Sequence, residues 1–251
     1  NHTIINTQQM ASQTFDFLLV MDFEATCTDD GTPMKNEIIE FPCVLVDTKN
    51  RTVVGEFHRY VRPTESPVLK PFCTELTGIQ QAQVDPASTI EVVLAEFIQW
   101  VSENPLLKQQ DRFSIVTCGD WDLNIALRTE SSRKGFTGMV PNWMQRWVNV
   151  KKVFQASRGN DRGAGMARML TELDMELIGK HHSGIDDSRN IARICCKLLE
   201  QQVSFETTAT WPTGRSARKS RVEAQKQEKK ERKEASKKGA ATAVAEVTAS
   251  Q

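Results

Sequence analysis

The stretch FDFLLVMDF (15–23) constrains this chain most: it is mostly apolar and bounded by polar residues, the pattern of a strand buried on both faces. Such a strand needs a sheet with layers on either side, so the rest of the chain must supply them. IIEFPCVLVD (38–47) reads as a second strand, with Pro42 marking a bulge or an edge stretch. A turn at 47–50 leads into a third, RTVVGEFHRYV (51–61), and the three form an antiparallel meander. Residues 88–102 carry apolar groups at helical spacing, with Ser88 as N-cap and Glu91 completing a capping box. RFSIVTCG (112–119) is a fourth strand, after which DWDLNIALRTES opens a helix; WVNVKKVF (147–154) supplies a short fifth strand. Residues 163–175 read as an amphipathic helix and 186–201 as the final one. Strands first, then strand alternating with helix, predict an α/β domain over 15–204. A short extension (1–14) precedes it, and a linker with a charged C-terminal extension (205–251) follows.

Four carboxylates and a histidine are spread over these elements. Asp22 and Glu24 sit two apart at the end of the first strand and share a face, with Phe23 turned the other way. Two like charges there repel and lose hydration unless a cation lies between them, although D-x-E also marks strands that merely end at the surface. Asp120 follows SIVTCG at the carboxyl end of a strand, where α/β sheets place ligands. It would serve equally as N-cap of the helix that begins at Trp121, and Asp122, in that helix's first turn, is the weaker candidate. HHSGIDDSRN offers two His-x4-Asp pairs. From Asp187 the helical face continues to Ile191, Ile194 and Leu198, and from Asp186 to Asn190, Arg193 and Lys197. Asp187 therefore faces the protein and needs a partner, while His182 lies in the Gly-containing loop before the helix, placed to act as a general base of near-neutral pKa. Taken jointly, four carboxylates and a base are what two-metal phosphodiester hydrolysis requires.

The order D-x-E … D … H-x4-D resembles the DEDDh class of 3′→5′ exonucleases, which share a ribonuclease-H-like fold. The wording is closer still to the Eri-type branch that includes the histone-mRNA 3′-exonuclease. The matching stretches are VMDFEATC (20–27), NEIIEFPCVLVD (36–47), YVRPTE (60–65), ELTGIQQAQVD (75–85), CGDWDL (118–123), WVNVKKVF (147–154) and HHSGIDDSRNIARI (181–194), covering residues 15–201. The resemblance is to the exonuclease domain only; residues 1–14 are not expected to hold the small nucleic-acid-binding domain that precedes it in the histone-mRNA nucleases. It implies a ribonuclease-H-like, mixed five-stranded sheet flanked by helices. It implies further that Asp22, Glu24, Asp120 and Asp187 bind two Mg²⁺ or Mn²⁺, with His182 as the base. Leu76, Thr77, Gly78 and Ile79 would border the 3′-terminal nucleotide, and Trp121 would either stack on a base or belong to the core.

Charge is unevenly divided. Residues 215–238 hold 11 Lys/Arg against 4 Asp/Glu, which leaves residues 1–214 with 21 basic and 27 acidic residues. An acidic body argues against a broad basic groove, and the tail is the candidate for attraction to a polyanion. Arg215, Arg218, Lys219, Arg221, Lys229, Lys230, Arg232 and Lys233 lie in a stretch without aromatic residues. It is either a solvated extension, helical or disordered, or an arm that grips RNA phosphates without reading bases. Six cysteines without zinc spacing read as reduced thiols of an intracellular, reducing compartment: cytoplasm or nucleus, or mitochondrion if a presequence has been removed. NHTIINTQQ has the basic and apolar character of neither a secretory signal nor an intact transit peptide, and no apolar run approaches membrane-spanning length.

The expected activity is metal-dependent 3′→5′ trimming of single-stranded or 3′-tailed RNA with release of nucleoside 5′-monophosphates. Two rivals remain open on residues alone: a DNA-directed exonuclease of the same class, and a non-catalytic or dual-role component of a ribonucleoprotein particle, such as one in ribosome assembly, anchored by the tail.

Overall fold

The computed structural model describes residues 13–31, 34–159 and 164–212; the expected basic arm, from Arg215 to Lys238, lies outside them. Among the described residues a mixed sheet of seven strands forms the centre: β1 (Phe17–Met21), β2 (Glu24–Ala25), β3 (Ile38–Asp47), β4 (Thr52–Tyr60), β5 (Phe113–Thr117), β6 (Arg146–Asn149) and β7 (Ala209–Thr210). β3 pairs antiparallel with β4 on one side and with β1 and β2 on the other, so the expected meander is present. β5 joins β1 in parallel, β6 joins β5 in parallel, and β7 closes the edge antiparallel to β6.

β1 shows why its run had to be apolar throughout. Leu19 and Met21 enter one core with Phe41, Phe57 and Phe97, while Leu18 and Val20 enter the other with Phe154, Ile191 and Leu198. The first core is covered by helix α3 (Ile90–Glu103) and the second by α5 (Val150–Arg158), α6 (Met166–Glu172) and α7 (Gly184–Glu200). Truncating any of these fully buried aliphatics to alanine costs about 2–5 kcal/mol, transfer and cavity together. A smaller cluster of Ile39, Leu69, Cys73, Ile79 and Val84 lies under α1 (Pro71–Thr77) and α2 (Gln81–Val84).

Several expectations need correction. The two strands beyond the expected five, β2 and β7, are two residues long, too short to show a period. Pro42 sits inside a strand paired on both sides. It falls between the residues that pair with β2 (Ile38, Glu40) and those that pair with β1 (Val44–Asp47), a gap where no ladder partner needs its missing N–H. α3 is preceded by Thr89, not Ser88, and no side chain caps it. WVNVKKVF is half strand and half helix: Asn149 ends β6, and its side chain accepts the Lys151 N–H to start α5. The helix after β5 opens with a π-helical turn (Asp122–Leu127) before α4 (Arg128–Lys134). The domain does not stop at 204. Phe205 is fully buried, and Trp211 packs on the first core and donates Nε1–H to the Leu123 carbonyl at 2.8 Å. Thus Ala209–Thr210, in the stretch expected to be linker, add the last strand of the sheet. Gln13 also belongs to the fold, bonding through its side-chain amide to Val203 and Phe205.

Candidate active site

Asp22 follows the last residue of β1 and Glu24 opens β2, so the pleat aims both to one side while Phe23 is buried in the first core. Onto this strand end docks the N-terminus of α7. A Cβ on Gly184 would lie 2.6 Å from the Asp22 carbonyl oxygen and 3.0 Å from Glu40 Oε2, so only glycine permits that approach. Glu40, 1% exposed on β3, fastens the junction by accepting the N–H groups of Gly184 (2.8 Å) and Ile185 (3.1 Å) and contacting His58 Nε2 at 2.8 Å. A carboxylate at a helix start also answers the helix dipole. The docking carries Asp187, 3% exposed, to the acid pair: one oxygen from each of Asp22, Glu24 and Asp187 lies within 4.8 Å of the others.

The third strand-end acid is Asp122, not Asp120. β5 ends at Thr117, and the chain then turns through Gly119 (φ 131°). Asp120 is thereby turned toward β6, where it accepts from Trp147 Nε1 (3.0 Å), Asn149 Nδ2 (3.1 Å) and Lys152 Nζ (3.2 Å). Asp122 is buried and accepts the Phe23 N–H at 2.8 Å, between Asp22 and Glu24 in sequence. Asp120 therefore braces the turn, and Asp122 joins the acidic cluster.

Burial and mutual repulsion dominate the electrostatics of the cluster. Burial, then Asp122 and Asp187, raises Asp22 well above the usual carboxylate range; burial, then Asp22 and Glu40, does the same to Glu24. Burial pushes Asp122 up to about 6 and Asp187 up to about 7. Lys151 is the cation that opposes this at both Asp22 and Asp122. Asp187 Oδ2 accepts the His182 N–H, but Oδ1 is buried with no hydrogen-bond partner among the described residues. An orphaned buried carboxylate oxygen among three other acids fits divalent cations, which favour such all-oxygen sets.

His182 lies in the loop between α6 and α7 with φ 67°, in the left-handed region, and its exposed ring stacks on that of His181 at 4.0 Å. Desolvation, then His181 and Lys180, lowers its pKa to about 4, against the expected near-neutral value. The ring is thus a free base at neutral pH.

The expected nucleotide-binding segment divides in two. Thr77 and Ile79 are buried: the Thr77 hydroxyl donates to the Cys73 carbonyl and accepts the Ile79 N–H, and Ile79 packs in the small third core. Leu76 and Gly78 stay half-exposed, and a Cβ on Gly78 would lie 2.7 Å from Lys180 Nζ, which donates to the Glu75 carbonyl. The segment therefore borders the histidine loop. Trp121 is half-buried against the first core.

A family profile described as Exonuclease matches residues 19–195, well over half of the chain. The chain belongs to this exonuclease family. Its branch is the DEDDh, Eri-type one. Human ERI1 exoribonuclease 3 is 38% identical over 197 residues, covering 78% of this chain and 58% of the relative. The Drosophila melanogaster 3′-5′ exonuclease Snipper is 35% identical over 216 residues, 80% and 76% of the two chains. Against ERI1 exoribonuclease 2 of Xenopus laevis the chain spans 29% of the relative's length. The solved nuclease domain of 3′hExo, described as bound to rAMP, superposes with a TM-score of 0.73 at 33% identity over 80% of this chain and all of that one. A structure described as 3′-end specific recognition of histone mRNA stem-loop by 3′-exonuclease gives 0.76 at 32% identity, over 83% and 72%. The fold of the DEDDh exonuclease is therefore the ribonuclease-H-like mixed sheet flanked by helices.

Proposed function

We propose that the protein is a divalent-metal-dependent 3′→5′ exoribonuclease that trims single-stranded or 3′-tailed RNA and releases nucleoside 5′-monophosphates. The observation that carries this reading is the convergence of Asp22, Glu24 and Asp187, one oxygen of each within 4.8 Å of the others, with Asp122 tied beside them through the Phe23 N–H. In this reading the four carboxylates hold two Mg²⁺ or Mn²⁺. When bound, that ion pair neutralises charge on the attacking and leaving oxygens of an in-line displacement. His182, uncharged and exposed beside the cluster, accepts the proton of the attacking water on its ring. Leu76 and Gly78 present an apolar and a backbone surface to the terminal nucleotide, tolerant of base identity. The stretch from Arg215 to Lys233 adds a salt-sensitive grip on RNA phosphates or on a ribonucleoprotein, and the compartment is a reducing, intracellular one.

The test is digestion of a 5′-labelled single-stranded RNA and a matched DNA with Mg²⁺ or Mn²⁺, with and without EDTA, beside Asp22→Asn. A ladder shortening from the 3′ end of RNA, abolished by chelation and by the substitution, is expected. Well-folded protein that leaves the RNA intact, or an Asp22→Asn variant as fast as wild type, would overturn the reading.

A further inference from the structure

The two adjacent histidines form more than one base. Successive loop residues ordinarily project in different directions, but the left-handed backbone at His182 (φ 67°) brings its ring parallel to that of His181, 4.0 Å between centroids and 16° between planes. A non-glycine residue held in that region carries strain of about 1–3 kcal/mol, a cost concentrated at working sites. The third member is Asp187. His181 Nε2 stands 3.9 Å from its Oδ2, and one nitrogen from each ring and one Asp187 oxygen all lie within 4.8 Å of one another. Asp187 is 3% exposed and its Oδ1 has no partner among the described residues, whereas both histidines are exposed.

Two imidazoles and a carboxylate are a different donor set from the all-carboxylate cluster next to them. Oxygen donors suit Mg²⁺ and Mn²⁺, whereas imidazole suits Zn²⁺. Tetrahedral zinc holds nitrogen and oxygen donors at about 2.0–2.2 Å, which small rotations of two surface rings achieve from the observed spacing. We propose that His181, His182 and Asp187 form a second, Zn²⁺-selective site that shares Asp187 with the acidic cluster and is completed by water, and that its occupation switches the enzyme off. Zinc there takes the lone pair on which His182 accepts its proton and draws Asp187 away from the acidic cluster. The inhibitory half rests on the nuclease reading above; the binding half does not.

The experiment titrates the metal-free full chain with Co²⁺, whose visible absorption reports tetrahedral nitrogen and oxygen ligation, and then displaces it with Zn²⁺. Wild type, His181→Ala and Asp22→Asn are compared. Wild type and Asp22→Asn are expected to develop the band and lose it to Zn²⁺, while His181→Ala binds at least about tenfold more weakly. In parallel, micromolar Zn²⁺ added over excess Mg²⁺ should inhibit wild-type RNA degradation. His181→Ala should keep the basal rate and need at least about tenfold more zinc. A band lost in Asp22→Asn and kept in His181→Ala, or equal zinc inhibition in wild type and His181→Ala, would place zinc in the acidic cluster and overturn the proposal. Should wild type degrade no RNA at all, the function fails alone, because the cobalt spectrum still reads the site.

Discussion

Replacing Gly184 by alanine tests whether the docking of α7 on β1 sets the active geometry. The added Cβ would lie 2.6 Å from the Asp22 carbonyl oxygen, roughly 1 Å inside the separation of about 3.5 Å at which non-bonded atoms cease to repel. That oxygen belongs to the backbone between β1 and β2, fixed by the sheet on either side, and Glu40 Oε2 blocks the other side at 3.0 Å. The helix must therefore back away, carrying Asp187 and the His182 loop with it and stretching the bonds from Gly184 and Ile185 to Glu40. Overpacking of this kind costs about 1–3 kcal/mol, which for a domain of this size lowers Tm by roughly 2–12 °C. A misplacement of about 1 Å costs roughly 10²-fold in rate. Thermal unfolding and single-turnover degradation of a 5′-labelled RNA give the two numbers. Gly138→Ala is the control: a Cβ there meets nothing within 4 Å, and both measurements should match wild type. A Gly184→Ala protein with wild-type Tm and rate, or one that loses stability and keeps its rate, would refute the idea that this contact positions Asp187.

The two strand-end acids separate cleanly. Asp122→Asn should cut turnover by at least about 10³-fold with little change in Tm. Asp120→Asn should keep turnover within about tenfold while costing about 1 kcal/mol of stability through its bonds to Trp147, Asn149 and Lys152; the reverse result would restore Asp120 to the cluster. Metal and pH are linked in the same way. Carboxylates raised to about 6 and 7 at Asp122 and Asp187 stabilise the metal-free fold below about pH 4, and that stability is lost as pH rises through those values. His182, lowered to about 4, acts oppositely, losing its contribution as pH falls from about 6.5 toward 4. Added Mg²⁺ must displace protons at pH 5 but not at pH 8, so the rise in Tm on adding it should be larger at pH 8. Equal rises at both values in a fluorescence melt would exclude these carboxylates as its ligands. Glu40→Gln keeps shape but weakens the hold on the α7 N–H groups; it should slow turnover by about tenfold without abolishing metal binding, as read by calorimetry.

The sheet was legible because burial on two faces writes itself into β1 as an unbroken apolar run and into β3 as a mostly apolar one, and α7 because its face from Asp187 through Ile191, Ile194 and Leu198 repeats at the helical period. β7 and Trp211 were not, since two paired residues and one buried indole have no period and stand beside Pro212 and Gly214, the usual marks of a linker. The choice of Asp120 over Asp122 failed for a conformational reason. Position at a strand's carboxyl end and the family resemblance both pointed to Asp120, and the turn through Gly119 (φ 131°) directs that residue toward β6 instead. A sequence shows that a glycine precedes the acid; it does not show the sign of its φ.

Buried acids raise a deeper ambiguity, because their chemistry depends on donors that come from elsewhere in the chain. Glu37 and Glu24 are both acids near β3, yet they are displaced in opposite directions. Burial would raise Glu37, but Lys134 and the N–H groups of Thr64, Glu65 and Ser66 outweigh it and hold its carboxyl below the ordinary value. Glu24 meets burial and then Asp22, Glu40 and Asp187, all of the same sign, and rises well above it. The first is a saturated anchor that fixes the 64–66 loop and α4 against the sheet; the second is a carboxyl crowded by burial and by like charges, the setting of a metal ligand. Glu40 stands between them, buried like both, with backbone donors from α7 on one side and the acid cluster on the other. What separates a structural carboxylate from a metal ligand is therefore the supply of hydrogen-bond donors around it. In this fold that supply is set by contacts 27 to 145 residues away, which is why D-x-E could suggest the chemistry and only the docked helix could complete it.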